Sequence, residues 1–161
     1  LILCGLLFSS LSFLNNIKKD LLLREEILAY EWLSNYNKNN NIINKNNTNE
    51  SVVLNHYKTG FLLEFYNLKP YLDLNYYISG KRLKIEQQES IIKSRNLKNI
   101  LNFLRDNKIK YIFIDTNLKN KIGKNDDDGF LLVLKNSIYF KKIYTYKDVI
   151  IFEFLENNNI N

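Results

Sequence analysis

No methionine occurs anywhere in the 161 residues, and the chain opens on Leu1. It therefore reads as a piece of a longer protein whose start lies upstream. A single cysteine, Cys4, excludes an intrachain disulfide, and with one histidine, His56, no Cys/His cluster for zinc exists. Cys4 sits inside an apolar run, where it behaves as a small hydrophobe and says nothing about redox compartment. Neither GxGxxG nor GxxxxGK[ST] is present, and the turn Asn55-His56-Tyr57-Lys58-Thr59-Gly60 is not glycine-rich, so no nucleotide site is expected. There is no GxSxG elbow, and a Ser-His-Asp triad would need His56 without any motif to nominate its serine. No catalytic residue and no cofactor is expected.

What is present starts with charge. Lys and Arg total 23 against 17 Asp and Glu, a formal net of +6. An anionic partner is one reading. However, the lysines are scattered, no nucleic-acid-binding pattern accompanies them, and Asn, Lys, Ile, Tyr and Phe are together abundant, as AT-rich coding produces. Nucleic acid is not an expected partner. Hydrophobic residues at 45% and aromatics at 14% supply enough apolar surface for one ordinary domain.

Leu1 to Leu14, LILCGLLFSSLSFL, carries no charge. It is shorter than the roughly 20 residues of a spanning helix and lacks the basic start of a signal peptide. The truncated end of a transmembrane helix, residues 1–17, is expected there; a buried helix of a soluble protein is the competing reading. Lys18, Lys19 and Arg24 follow at once, which under the positive-inside rule argues for a cytoplasmic tail.

Residues 18–51 read as a juxtamembrane helix and an Asn-rich linker. The helix is expected over Asp20 to Ser34, with Leu23, Ile27, Tyr30 and Leu33 on one face. Asn35 to Ser51 reads as an exposed loop holding two sequons, at Asn46 and Asn49. From Val52 strands and helices alternate, and residues 52–156 are expected to form the soluble domain, with 157–161 a disordered tail. The expected strands are Val52-Val53-Leu54, Lys69 to Asp73, Ile109 to Asp115, and a hairpin of Tyr139–Thr145 with Val149–Leu155. The expected helices are Gly60–Tyr66, Glu86–Ser94, Asn96–Asn107 and Gly129–Leu134, with Leu74 to Leu83 irregular. The run IKYIFID is apolar enough for a central strand buried on both faces. The fold class that follows is α/β. Its small mixed sheet has a parallel centre and an antiparallel C-terminal hairpin, flanked by helices.

In open α/β sheets ligands bind beyond the C-terminal ends of the parallel strands. Those ends carry His56 with Tyr57, then Asp73, then Asp115, the candidate substrate-binding rim. A polar rim is also what such a sheet shows with no ligand. Asp126-Asp127-Asp128 has the carboxylates for a divalent cation but no EF-hand spacing, and reads equally as a helix cap; no metal is expected.

Several stretches together resemble the C-terminal extracytoplasmic segment of multipass GT-C type glycosyltransferases, relatives of protein O-mannosyltransferases and aminoarabinose transferase. They are a helix ending in Trp32-Leu33, the Val52-Val53-Leu54 strand, and Gly60 leading into Tyr66-Asn67-Leu68-Lys69-Pro70. The strand Lys108-Ile109-Lys110-Tyr111-Ile112-Phe113-Ile114-Asp115 and a closing hairpin, Phe140 to Tyr144 with Val149 to Phe152, complete the set. The resemblance covers nearly the whole chain. It implies a non-catalytic domain outside the cell membrane, attached to a parent membrane domain that takes sugar from a polyprenyl-phosphate donor. Its implied partners are membrane lipid, that parent domain, and a glycan or protein acceptor. The family's catalytic acids lie in a region absent here, so none carries over. The WWD-type motif of the oligosaccharyltransferase branch is missing, since the only tryptophan, Trp32, precedes Leu33. A membrane-anchored binding module with no enzymatic role is the alternative.

Overall fold

The computed structural model describes residues 24–43, 51–79, 82–122 and 129–156. The expected membrane run 1–17, the asparagines of both sequons, the Asp126–Asp128 run and the 157–161 tail lie outside the described residues. Among the described residues no helix is long and apolar enough to cross a membrane.

A long helix, α1 (Arg24–Ile43), leads to β1 (Val52–Leu54), a 3-10 turn (Tyr57–Thr59), α2 (Gly60–Phe65) and β2 (Lys69–Pro70). Helices α3 (Leu74–Ile78), α4 (Arg82–Ile92) and α5 (Leu97–Asp106) come before β3 (Ile109–Ile114). Then follow α6 (Thr116–Ile122), α7 (Gly129–Asn136), and the hairpin of β4 (Phe140–Tyr146) and β5 (Val149–Phe154). The five strands lie in the order β2-β1-β3-β5-β4. β1 pairs parallel with β2 and β3, while β5 pairs antiparallel with β3 and β4. This is the expected mixed α/β sheet, with helices on both faces and β3 at its centre.

The apolar run of β3 explains its position. Tyr111 and Phe113 face one core and Ile112 and Ile114 the other, all fully buried. The first core is roofed by Ala29, Tyr30 and Leu33 of α1 and Leu63 of α2, over Val53, Val149 and Ile151. Tyr30 stacks on Phe113 with ring centroids 4.4 Å apart. The second core is closed by α4 to α7, where the α5 stripe Ile100, Leu101 and Leu104 meets Leu54, Ile112 and Phe152. In β5, Ile150, Phe152 and Phe154 share that second face as their alternation requires, and Glu153 points to the other side.

Several local expectations change. α1 continues nine residues past Ser34, through the first part of the Asn-rich stretch. Asparagine is a weak helix former, so tertiary contacts must carry this extension. Tyr36 stacks on Trp32 one turn back (4.9 Å), and its hydroxyl donates to Glu153 Oε2 (2.9 Å). The buried face of α1 is also rotated from the expected one: Glu26 and Ala29 are inside, while Ile27 is exposed. Ser51, expected on a loop surface, is 9% exposed. β2 is shorter than Lys69 to Asp73. Part of the stretch read as irregular is the helix α3, and α4 begins at Arg82 rather than Glu86. α6 was not expected at all, because TNLKNKI has no apolar stripe and buries only Leu118.

α2 ends in a Schellman motif, with Leu68 N–H donating to Leu63 O (2.8 Å), Asn67 N–H to Glu64 O (2.9 Å), and Asn67 left-handed at φ 58°. At its other end Gly60 is pressed against the chain leaving β2. A Cβ there would lie 2.5 Å from Leu72 O and 2.6 Å from Asp73 Cα.

Candidate functional site

The parallel strands finish together, and the segments that follow them meet at one rim. After β1, Asn55 and His56 turn into the 3-10 helix. Thr59 Oγ1 folds back to the His56 carbonyl (2.8 Å), which also accepts from Thr59 N–H (3.0 Å) and Asn55 Nδ2 (2.7 Å). The same Thr59 hydroxyl also lies within reach of Asp115 Oδ2, 3.3 Å away. Asp115 ends β3 and caps α6: its Oδ1 accepts from Leu118 N–H at 2.6 Å. Across the rim, Gln88 Nε2 of α4 donates to Asn55 O (2.6 Å).

Glu26 enters from α1 and is 3% exposed. It accepts from the Thr116 N–H beside Asp115. Two carboxyl groups thus lie buried near each other at the tip of the central strand. Burial, and secondarily the charge of Asp115, push Glu26 up to about 7. Burial raises Asp115 as well, against the opposing hydrogen bonds from Leu118 and Thr59. The Tyr30 hydroxyl is fully buried and faces the Thr59 side chain, and the buried Thr116 Oγ1 has no hydrogen-bond partner among the described residues.

His56 is 5% exposed, and burial, then Lys121 and Lys58, hold its imidazole down at about 4. It is neutral at physiological pH. Its Nδ1 accepts from Lys58 N–H (3.4 Å), which puts the ring proton on Nε2. The ring packs on Tyr57, centroids 4.5 Å apart. Lys121 Nζ sits 5.4 Å from the Tyr57 ring centroid and pairs with Glu89 Oε1 at 2.9 Å.

Of the four rim residues named from sequence, His56 and Asp115 are buried and act on the backbone around them, while Tyr57 and Asp73 are half-buried. His56 and Tyr57 touch, and Asp115 joins them through Thr59. Asp73 lies against Gly60, next to Thr59 in the chain. Glu26, Tyr30, Thr59 and Thr116 were not foreseen. The available signal was Glu26 and Tyr30 one turn apart on a helix. Among the described residues no three His, Cys, Asp or Glu side chains converge as metal ligands. The arrangement couples α1, α2 and α6 to the sheet, and it presents no exposed nucleophile with an adjacent base.

No protein-family model matches the chain, and no curated protein matches it significantly in sequence. Among solved structures it is similar to the C-terminal globular domain of an oligosaccharyltransferase from Archaeoglobus fulgidus. The TM-score is 0.58 at 11% identity, over 83% of this chain and 99% of that one. The two share a fold.

Proposed function

We propose that the chain is a non-catalytic extracytoplasmic domain of a membrane glycosyltransferase that uses a polyprenyl-phosphate-linked sugar, and that it helps hold the acceptor. The single observation that carries this reading is the shared fold with a domain of an oligosaccharyltransferase. The GT-C-like sequence pattern described above points the same way. The rim chemistry supports a holding role over bond making, because its two most perturbed carboxyls, Glu26 and Asp115, are sealed from solvent. Acceptor contact falls to Tyr57 and Asp73, with His56 and Asp115 shaping the backbone that presents them.

The test is to add acceptor peptides and a polyprenyl-phosphate sugar to the purified chain. The expected result is no transfer, with saturable NMR shifts at Tyr57 and Asp73 that Tyr57→Ala and Asp73→Asn weaken. Transfer by this chain alone, or acceptor binding indifferent to both substitutions, refutes the reading.

A further inference from the structure

Topology decides which side chains share the end where the parallel strands finish. The 3-10 turn, α3 and α6 each follow a parallel strand, so all three lie there. α1 starts at the same end: Glu26 meets Thr116 just past β3, whereas Tyr36 and Asn37 reach Glu153 and Tyr111 near the opposite end of the sheet. The β4–β5 turn is there too, with Lys147 paired to Glu25. α4 begins beside it, since Lys84 lies over the ring of Tyr71, just past β2.

Most of the large apolar side chains left exposed among the described residues crowd this end. Ile27 and Leu28 flank the start of α1, Phe61 the start of α2, and Leu74 lies on α3. The most exposed of the group are Ile78 at 73% and Leu83 at 69%. Single exposed apolar residues are ordinary, but a concentration of them marks a contact surface. Arg24, Lys58 and Arg82 stand exposed among them, while Lys147 is paired with Glu25 and the neighbouring Asp148 with Lys119. Apolar tips within a basic collar match the boundary layer of an anionic bilayer, which accepts the first and attracts the second. The sequence that enters α1 at this end contains the uncharged run Leu1–Leu14 and then Leu21-Leu22-Leu23.

We infer that this end of the domain lies on an anionic membrane surface. Ile78 and Leu83 dip into the headgroup boundary, and Arg24, Lys58 and Arg82 contact lipid phosphates. This rests on the membrane reading of residues 1–17 and adds which surface meets the lipid. It also sets the half-buried Tyr57 and Asp73 close to a lipid-borne sugar donor.

The test uses the full chain with Cys4→Ser, carrying an environment-sensitive fluorophore on one new cysteine: Ile78→Cys, Leu83→Cys, or the far-end controls Phe65→Cys and Ile138→Cys. Each is mixed with vesicles of phosphatidylcholine and phosphatidylglycerol. The expected result is a blue shift and shielding from an aqueous quencher at 78 and 83, with 65 and 138 unchanged. Arg82→Gln and Lys58→Gln should each lower vesicle partitioning by up to about fivefold, less so in high salt. Vesicle-bound chain with water-like signals at 78 and 83, or with shifts at 65 and 138 instead, overturns this orientation alone. A full chain that does not bind vesicles overturns it together with the membrane reading. Burial of 78 and 83 only on addition of a soluble protein also overturns it, in favour of a protein partner.

Discussion

Replacing Glu26 with Gln removes one buried ionisable group and keeps an acceptor for the Thr116 N–H. Glu26 titrates at about 7 in the folded chain against 4.5 for a free carboxyl. Below about pH 4.5 it is neutral in both folded and unfolded chains, and its contribution is intact. Between about pH 4.5 and 7 only the unfolded chain gives up the proton, so stability falls as pH rises. At about 1.4 kcal/mol per pKa unit the loss reaches about 3 kcal/mol above pH 7. His56 works in the opposite direction. Its pKa is about 4 folded against 6.5 free, so between those values only the unfolded chain binds the proton, and stability rises by about 3 kcal/mol. The two terms nearly cancel in the native protein, where the raised Asp115 adds a further fall. Glu26→Gln unmasks the His56 rise. Asp115, also raised by burial, leaves a residual fall, reduced because the neighbouring charge is gone. Urea unfolding of both proteins, measured in steps from about pH 4.5 to 7.5, reads the effect directly. The stability of Glu26→Gln relative to native should climb by about 2–3 kcal/mol over that interval. A difference constant to within about 0.5 kcal/mol would refute the claim that Glu26 is buried and coupled to Asp115.

Gly60→Ala forces a Cβ into Leu72 O and Asp73 Cα and should cost about 1–3 kcal/mol, read as a shift in urea midpoint; an unchanged midpoint would mean that α2 does not press on this segment. At Asn67, φ 58°, substitution by Gly should be nearly neutral while Ala costs about 1 kcal/mol, and equal losses would contradict the Schellman geometry. Phe65 is 77% exposed, so with Cys4→Ser and Phe65→Cys a membrane-impermeant maleimide should label the protein from outside intact cells. Labelling only after lysis places the domain in the cytoplasm and removes the glycosyltransferase reading. Ser51, 9% exposed, is unsuited to that purpose.

The sequence made the sheet legible where burial is written into consecutive residues. IKYIFID could only be a strand covered on both sides, and the alternation in VIIFEF fixed its faces. α5 was legible for a related reason, an apolar stripe at helical spacing. α6 was not, because a helix of seven mostly polar residues is started by one Asp115 carboxylate and held by Leu118, with Ile122 only partly buried beside the same core. The continuation of α1 was hidden because its support, Glu153, belongs to the last strand. The rim was legible as a place and not as a set of contacts. His56, Asp73 and Asp115 do follow parallel strands, but whether each faces solvent depends on what α1 and α4 lay over them. Glu26 was unreadable for the same reason, since only the third dimension brings it to Asp115.

α1 also bears on how this domain could be moved, trimmed or grafted. A cut inside the Asn-rich stretch looks harmless in sequence and would start the chain at Val52. It would remove Ala29, Tyr30 and Leu33 from above Val53, Tyr111, Phe113, Val149 and Ile151, and leave Leu63 of α2 to cover only part of that apolar plane. Such a plane invites self-association. The smallest portable unit therefore begins no later than Arg24. A load applied at Arg24 would fall directly on the roof of the domain, because α1 begins there and carries that roof.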